Sequence, residues 1–416
     1  MMLLANPRHA LLELLDVALD AVDGARSVQR ALIARPISDP VWIAAIGKAA
    51  ESMTCGALEV LGDTCRGGIL VTKPGHTEPN RFQGLGIEVC FGGHPLPDAG
   101  SLAAGERLLA NLDRLPAETQ LLFLLSGGAS ALIESPISRL GLAELRAINA
   151  WLLGSGWPIS AMNCVRQSVS RLKAGGLLHA IGGRPVRQLA ISDVPDDAPS
   201  VIGSGPLVPT PDLTERVGQL DLPAWLADWI ARGLVERGVP PQHGPEMELV
   251  ATLSMAKAAV ARAAESRGWR VWLHPDPIEG DAADQGRALA QALMASAPGL
   301  HVWGGETTVR LPEQPGRGGR NQHLALAAAI ELAGRCDVWL LSAGTDGGDG
   351  STEDAGALID GGTLERAELA GLDARICLRL ADSGRLLEAS GDLVYTGPTG
   401  TNVMDLILGY KASSLS

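Results

Sequence analysis

Short, largely apolar runs recur along the chain, and nearly every one ends in a loop of glycine with serine, threonine, aspartate or lysine. The runs are 41–46 (VWIAAI), 69–72 (ILVT), 87–91 (IEVCF), 121–125 (LLFLL) and 188–192 (QLAIS). Stretches of helical periodicity lie between several of them, at 49–61, 100–112, 141–153 and 163–180. A strand buried on both faces needs no polar alternation, so such runs interleaved with helices predict an α/β fold: a mainly parallel sheet with helices on both faces. In that architecture the loops at strand C-termini build the site. Ahead of the first run, Leu11, Leu12, Leu15, Val17, Leu19 and Val22 predict one amphipathic helix over 8–34.

A second series follows the Pro/Gly-rich stretch at 239–245. It reads strand 248–253, helix 255–267, strand 270–274, helix 281–296, strands 300–304 and 306–311, helix 319–334 and strand 337–342. Two or three helices then run to about residue 389. A length of 416 residues suits two or three domains of about 150 residues each. The composition shift near 205–245 sets the expected division, an N-terminal domain over 1–235 and a C-terminal domain over 246–416. Hydrophobic residues make up 46% but aromatics only 3%, so the core must be aliphatic.

A formal charge of −13 gives no electrostatic help with phosphodiester backbones, which argues against nucleic acid as a partner. No stretch reaches about 18 uninterrupted apolar residues, so no membrane partner is expected. The six cysteines are far apart and form no C-x-x-C pair, the pattern of reduced thiols in a cytoplasmic protein. The first residues lack a basic n-region and are interrupted by Pro7, Arg8 and Glu13, which argues against a signal peptide.

Six loops carry the chemistry. In IGKAAESM, Lys48 stands near a helix start, where a cation opposes the helix dipole unless an anion sits beside it. It either swings into solvent or aims at a phosphate or carboxylate; no G-x-x-x-x-G-K precedes it, so this is not a P-loop. In SGGAS, Ser126, Gly127, Gly128 and Ser130 follow an apolar strand and precede a helical stretch, a pattern that lets backbone N–H groups converge on an anion. It also suits a plain tight turn. In SDVPDD, Asp193 ends a strand with Asp196 and Asp197 close behind; such carboxylates need solvent or a cation, and oxygen ligands suit magnesium. Asp196 or Asp197 can instead serve as a cap.

The fourth loop, GGETTVRLPEQPGRGGRNQ, holds Glu306 in a bend between two strands, then Arg317, Arg320, Asn321 and Gln322 around a glycine pair. An arginine fork suits a carboxylate or a phosphate. The fifth, SAGTDGGDG, sets Thr345, Asp346 and Asp349 between glycines without an EF-hand register, and the sixth contributes Thr399, Thr401 and Asn402. H-E-x-x-H, G-x-S-x-G and the kinase D-F-G and H-R-D sets are absent, and no G-x-G-x-x-G follows a strand. Of eight scattered histidines, His94 in GGHPLPD is the one of interest, against the plainer reading of a turn histidine bonded to backbone.

Taken together these loops resemble the glycerate kinases that phosphorylate the 2-hydroxyl and carry a MOFRL domain at the C-terminal end. The matching stretches are IGKAA, GGHPLPD, SGGASAL, NCVRQSVSRLKAGGL, SDVPDDAPSVIGSGP, GGETTV with GRGGRNQ, SAGTDGGDG and TGPTGTNVMDL, in the family's order from about residue 41 to 406. The resemblance implies an N-terminal Rossmann-like domain and a C-terminal MOFRL α/β domain with the active site in the cleft between them. It implies ATP and Mg²⁺, with D-glycerate as acceptor, and leaves room for a homodimer. Carried over by position, Lys48 and Arg320 are the catalytic cations. Asn321 joins them in substrate binding, and Ser126, Gly127, Gly128, Ser130, Gly203, Gly205, Thr345, Asp346 and Asp349 lie near nucleotide phosphates. Asp193 and Glu306 are the magnesium carboxylates, and Asp193 is equally the candidate base; the sequence leaves that choice open.

Four positions depart from the family pattern. Ala129 stands where a third glycine is usual, Gln167-Ser168 replaces a Lys-His pair, His323 replaces an acidic residue, and Gly348 fills the variable place of TDGxDG. The Gln167-Ser168 change bears on acceptor identity. Two other readings remain: a nicotinamide-dependent hydroxypyruvate reductase, a label the family has also carried, and a homologue that binds ATP and a hydroxy acid with weakened catalysis.

Overall fold

The computed structural model describes residues 6–238 and 242–413. The chain forms two compact units, one of Gly24–Val250 and one joining the segment that ends at Asp23 to Ala251–Ser416.

The Gly24–Val250 unit is built on six strands: β1 (Val41–Ile46), β2 (Cys65–Thr72), β3 (Ile87–Phe91), β4 (Gln120–Leu125), β5 (Val186–Ile191) and β6 (Met247–Ala251). Their order is β3-β2-β1-β4-β5-β6, and the pairs β1–β2, β1–β4, β2–β3 and β4–β5 are parallel. The expected runs are therefore the strands, and β1 is buried throughout because both its faces are covered. The core is aliphatic, packing Ile46, Ile69, Val71, Leu125 and Ala190 around Phe123. Strand order reverses between β1 and β4, so the loops leaving these two neighbours diverge and open a crevice at their C-terminal ends.

Several elements differ from expectation. The strand at 248–253, read as the start of the second series, is β6 and closes the edge of the first sheet. The helix read over 163–180 is broken. It runs Ile159–Ser168, then yields to a loop with Ala174 and Gly175 at positive φ, and resumes as Leu177–Ile181. The break is driven by backbone pairing, since Ala174 and Gly175 N–H donate to Ser204 and Gly205 C=O at 3.0 and 2.8 Å. The opening helix is also two helices, Pro7–Ala21 and Gly24–Ala34, which fall in different units.

The second unit carries β7 (Val271–Leu273), β8 (Ile278–Asp281), β9 (Gly299–Thr308), β10 (Val338–Gly344), β11 (Gly356–Asp360), β12 (Leu393–Val394) and β13 (Asp405–Lys411). The order is β12-β11-β10-β13-β9-β7, with β8 also on β9. It is mixed rather than parallel: β9–β13, β13–β10 and β10–β11 run antiparallel, while β7 and β8 lie parallel to β9. The two strands expected at 300–304 and 306–311 are the single strand β9, with Glu306 inside it. β11, β12 and β13 were not foreseen. The helix Pro7–Ala21 buries Leu11, Leu14, Leu15 and Ala18 in this unit, where Arg8 pairs with Asp360 and Asp392 at 2.8 and 2.7 Å. Among the described residues no helix is long and apolar enough to cross a membrane, and the six cysteines are unpaired.

Candidate active site

In the Gly24–Val250 unit three loops meet at the β1/β4 crevice. Lys48 N–H donates to Gly127 C=O at 2.9 Å, and Ser126 N–H donates to Ile46 C=O at 2.9 Å, so the β1 and β4 loops run side by side. Ser126 is fully buried and its Oγ accepts from Ala49 N–H at 3.1 Å. A Cβ on Gly47 would lie 2.1 Å from that Oγ, which is why the residue before Lys48 must be glycine. Ser126 is thus first a latch between the loops. Gly128 adopts a left-handed conformation (φ 84°), and a Cβ there would lie 3.3 Å from His94 Nε2 and 3.4 Å from Lys48 Cγ. Lys48 lies two residues before the helix Ala50–Leu61 and is half-buried, with His76 Nδ1 donating to its carbonyl at 3.0 Å.

The helix after SGGAS is a single turn, Ala129–Leu132, too short to add an appreciable macrodipole. What this corner presents is the Lys48 side chain beside the Cα of Gly128. Ala129 does not crowd it: its methyl is buried in the core, 3.2 Å from where a Cβ on Gly203 would stand. Ser130 Oγ meets Ser204 Oγ at 2.9 Å, tying SGGAS to the GSGP turn. There Gly203 and Gly205 have φ of 57° and 63°, and the Gly205 N–H is already spent on Ile202 C=O.

The NCVRQSVSRLKAGGL segment supplies scaffolding. Arg166 bonds Asn149 and Asn163, and Lys173 forms a buried ion pair with Glu134, which also accepts from Ser170 Oγ. Gln167 Nε2 donates to Ser200 and Ser204 C=O at 3.2 and 3.3 Å, while Ser168 Oγ donates to Cys164 C=O. Both residues that replace the family's Lys-His pair are buried; Gln167 holds the GSGP turn, whereas the Ser168 hydroxyl bonds within its own helix. Asp193 stands half-buried just beyond β5, and Asp196 acts as a local cap, accepting from Ala198 N–H at 3.3 Å.

In the second unit Arg320 opens the helix Arg320–Leu332. Asp405, the first residue of β13, takes its guanidinium side-on, Nε to Oδ2 at 2.7 Å and Nη2 to Oδ1 at 3.0 Å, and Nη1 reaches Glu306. Burial opposes the guanidinium charge, but the Asp405 carboxylate outweighs it and raises the Arg320 pKa, so the side chain stays a cation. Asp349 is buried and caps the same helix: Oδ1 accepts from Asn321 N–H at 3.0 Å and Oδ2 from Gln322 N–H at 2.8 Å. Burial pushes the Asp349 carboxyl up to about 7 against those two hydrogen bonds. A Cβ on Gly319 would strike this carboxylate at 2.3 Å, so the GRGG and TDGGDG loops interlock through glycine.

Several expected ligand groups are thereby committed internally. Asn321 is buried, bonded to Asp349 and to Ser342 Oγ, which donates at 2.6 Å. Thr345 Oγ1 donates to Met404 C=O and accepts from Val403 N–H. Asp346 is only half-buried and accepts from Gly348 N–H at 3.1 Å. Arg317 pairs with Asp354 and Glu388. His323 is buried, and burial lowers its pKa, so a neutral ring stands where the family pattern has an acid. Sequence reasoning missed Asp405 and His76; the signal for Asp405 was an acid at the mouth of the apolar run LILGY. No group of three or more His, Cys, Asp or Glu side chains able to hold a metal ion occurs among the described residues. The donors present fit a hard cation held mainly by phosphate oxygens, with at most one or two carboxylates added.

One unit carries a Rossmann-like sheet with a lysine and a glycine at its switch point, and the other, itself α/β, clamps an arginine; together they define an α/β protein of two units. The MOFRL family matches residues 299–405, and a domain of unknown function (DUF4147) matches residues 10–220. D-glycerate 2-kinase of Thermotoga maritima is 34% identical, covering 96% of this chain and 97% of its own length. Glycerate 2-kinase of Pyrococcus horikoshii is 32% identical over 91% and 88%. A protein of Agrobacterium vitis, provisionally named a hydroxypyruvate reductase, is 37% identical over 96% and 94%. The crystal structure of the Thermotoga maritima glycerate kinase aligns with a TM-score of 0.84 at 34% identity, over 97% of this chain and 99% of that one. The chain belongs to the MOFRL-containing glycerate 2-kinase family.

Proposed function

We propose that this protein transfers the γ-phosphoryl group of ATP to the 2-hydroxyl of D-glycerate, giving 2-phospho-D-glycerate and ADP. The observation that carries the reading is the corner at the β1/β4 switch point, where the Lys48 stem flanks the bare Cα of Gly128. Phosphoryl transfer asks little covalent chemistry of the protein; it asks for alignment and for cations where charge builds up. Lys48 neutralises the charge growing on the leaving oxygen. The two guanidinium N–H groups of Arg320 not held by Asp405 and Glu306 take the acceptor carboxylate and present the 2-hydroxyl. A magnesium ion bound through phosphate oxygens would screen the β- and γ-phosphates, and Asp193 is the carboxylate assigned to it or to the hydroxyl proton. Six unpaired cysteines support a reducing, cytoplasmic setting.

Removing one cation from a phosphoryl-transfer site costs on the order of 3 kcal/mol, so Lys48→Ala should lower kcat about a hundredfold in an ADP-release assay with ATP and D-glycerate. Unchanged turnover would remove Lys48 from the mechanism. The reductase name of the Agrobacterium vitis relative motivates a second assay: oxidation of NADH by hydroxypyruvate, for which we expect no signal above background.

A further inference from the structure

His94 has no role in the scheme above, yet the chain spends two glycines on delivering it to Lys48. Gly92 continues β3, its N–H donating to Thr72 C=O at 3.0 Å, and a Cβ on it would lie 2.0 Å from Leu132 C=O. This bare contact seats the β3 loop directly on the single helical turn that follows SGGAS. A Cβ on Gly93 would lie 2.5 Å from Leu96 C=O, and its N–H donates to Asp98 Oδ1 and Ser101 Oγ at 2.9 and 3.0 Å. Asp98 in turn caps the helix Ala99–Arg114 by accepting from Ser101 N–H at 2.9 Å. The backbone on both sides of His94 is therefore pinned, one side to the sheet and the other to a capped helix. Between these anchors the imidazole is exposed and lies over Gly128, its Cδ2 and Nε2 at 3.0 and 3.3 Å from the ideal Cβ position, where Lys48 Cγ stands at 3.4 Å.

We propose that His94 is a third anion-binding residue of this corner, its Nε2 donating a hydrogen bond to the phosphoryl oxygens that Lys48 neutralises. The inference rests on the reading of Lys48 as a phosphoryl-site cation. An imidazole and a lysine stem packed about one left-handed glycine bring side chains that can donate from two loops to the same spot. A glycine nest alone offers only backbone N–H groups; adding a fixed ring N–H lends direction to the grip.

The test is steady-state kinetics in ATP and D-glycerate for His94→Ala and His94→Gln, with melting temperature and calorimetric titration of ATP as companions. A hydrogen bond to a charged oxygen predicts that His94→Ala lowers kcat/KM for ATP by roughly 10- to 100-fold and weakens ATP binding. His94→Gln keeps an amide donor near the Nε2 position and should recover most of the loss, with both variants melting as the wild type does. Unchanged kcat/KM in His94→Ala, or equal losses in both variants with a lowered melting temperature, would overturn the proposal. If the wild type itself releases no ADP with D-glycerate, the reaction assigned above fails. The calorimetric comparison then decides the fate of His94 separately: weakened ATP binding in His94→Ala supports it, and unchanged binding overturns it.

Discussion

Arg320 commits three of its five N–H donors to carboxylates without any substrate: two to Asp405 and one to Glu306. The two partners differ in kind. Asp405 is buried at the start of a strand and bidentate, a fixed orienter, whereas Glu306 is about half exposed and monodentate. An acceptor carboxylate approaching the remaining donors competes with Glu306. Partly exposed ion pairs are worth about 0–1 kcal/mol, so Glu306→Gln should lower KM for D-glycerate by up to about fivefold with kcat held. A raised KM for Mg·ATP with a fall in kcat would instead make Glu306 a metal ligand, the role its sequence context suggested. The contrast shows what single residues disclose. Lys48 and Gly128 were legible because a strand-end glycine loop with a lysine has a local meaning. Asp405 was not, because its meaning depends on an arginine 85 residues earlier in the chain.

The helix Arg320–Leu332 is the element that presents the arginine, and its start is held by Asp349 from another loop. The family resemblance placed Asp349 near nucleotide phosphates; in the structure it is buried and accepts from two backbone N–H groups, as a helix cap. Its raised pKa has a definite sign. Between about pH 4 and pH 7 the folded protein keeps a proton that the unfolded chain releases, so this group's contribution to stability declines as pH rises through that window. Asp349→Asn should abolish that part of the decline in urea unfolding at pH 5 and pH 8. It should also cost about 1 kcal/mol, because the amide N–H₂ faces a backbone donor. A full wild-type slope in the variant would refute the assignment. Strands β1 to β5 were legible as apolar runs because most of their positions are apolar and those of β1, β4 and β5 are largely buried, with Glu88, Arg187 and Gln188 among the polar exceptions. β13 was missed because its antiparallel partners β9 and β10 lie far off in sequence and leave no local mark, and β9 was split in two because Gly304 and Gly305 imitate a turn.

At the scale of the chain, the two units are not successive in sequence: the helix Pro7–Ala21 belongs with residues beyond Ala251. Periodicity identified that helix but could not tell which core its apolar face serves, because a leucine stripe fits any aliphatic surface. Adding a peptide of residues 6–23 should therefore raise the melting temperature of an isolated 251–416 fragment, since Leu11, Leu14 and Leu15 are buried there. An unchanged transition would show that the helix adds nothing to that unit. The central claim, phosphorylation at the 2-hydroxyl, is tested most directly by coupling the reaction to enolase without a phosphoglycerate mutase. Immediate formation of phosphoenolpyruvate from ATP and D-glycerate is predicted, and ADP release that yields none until mutase is added would contradict it.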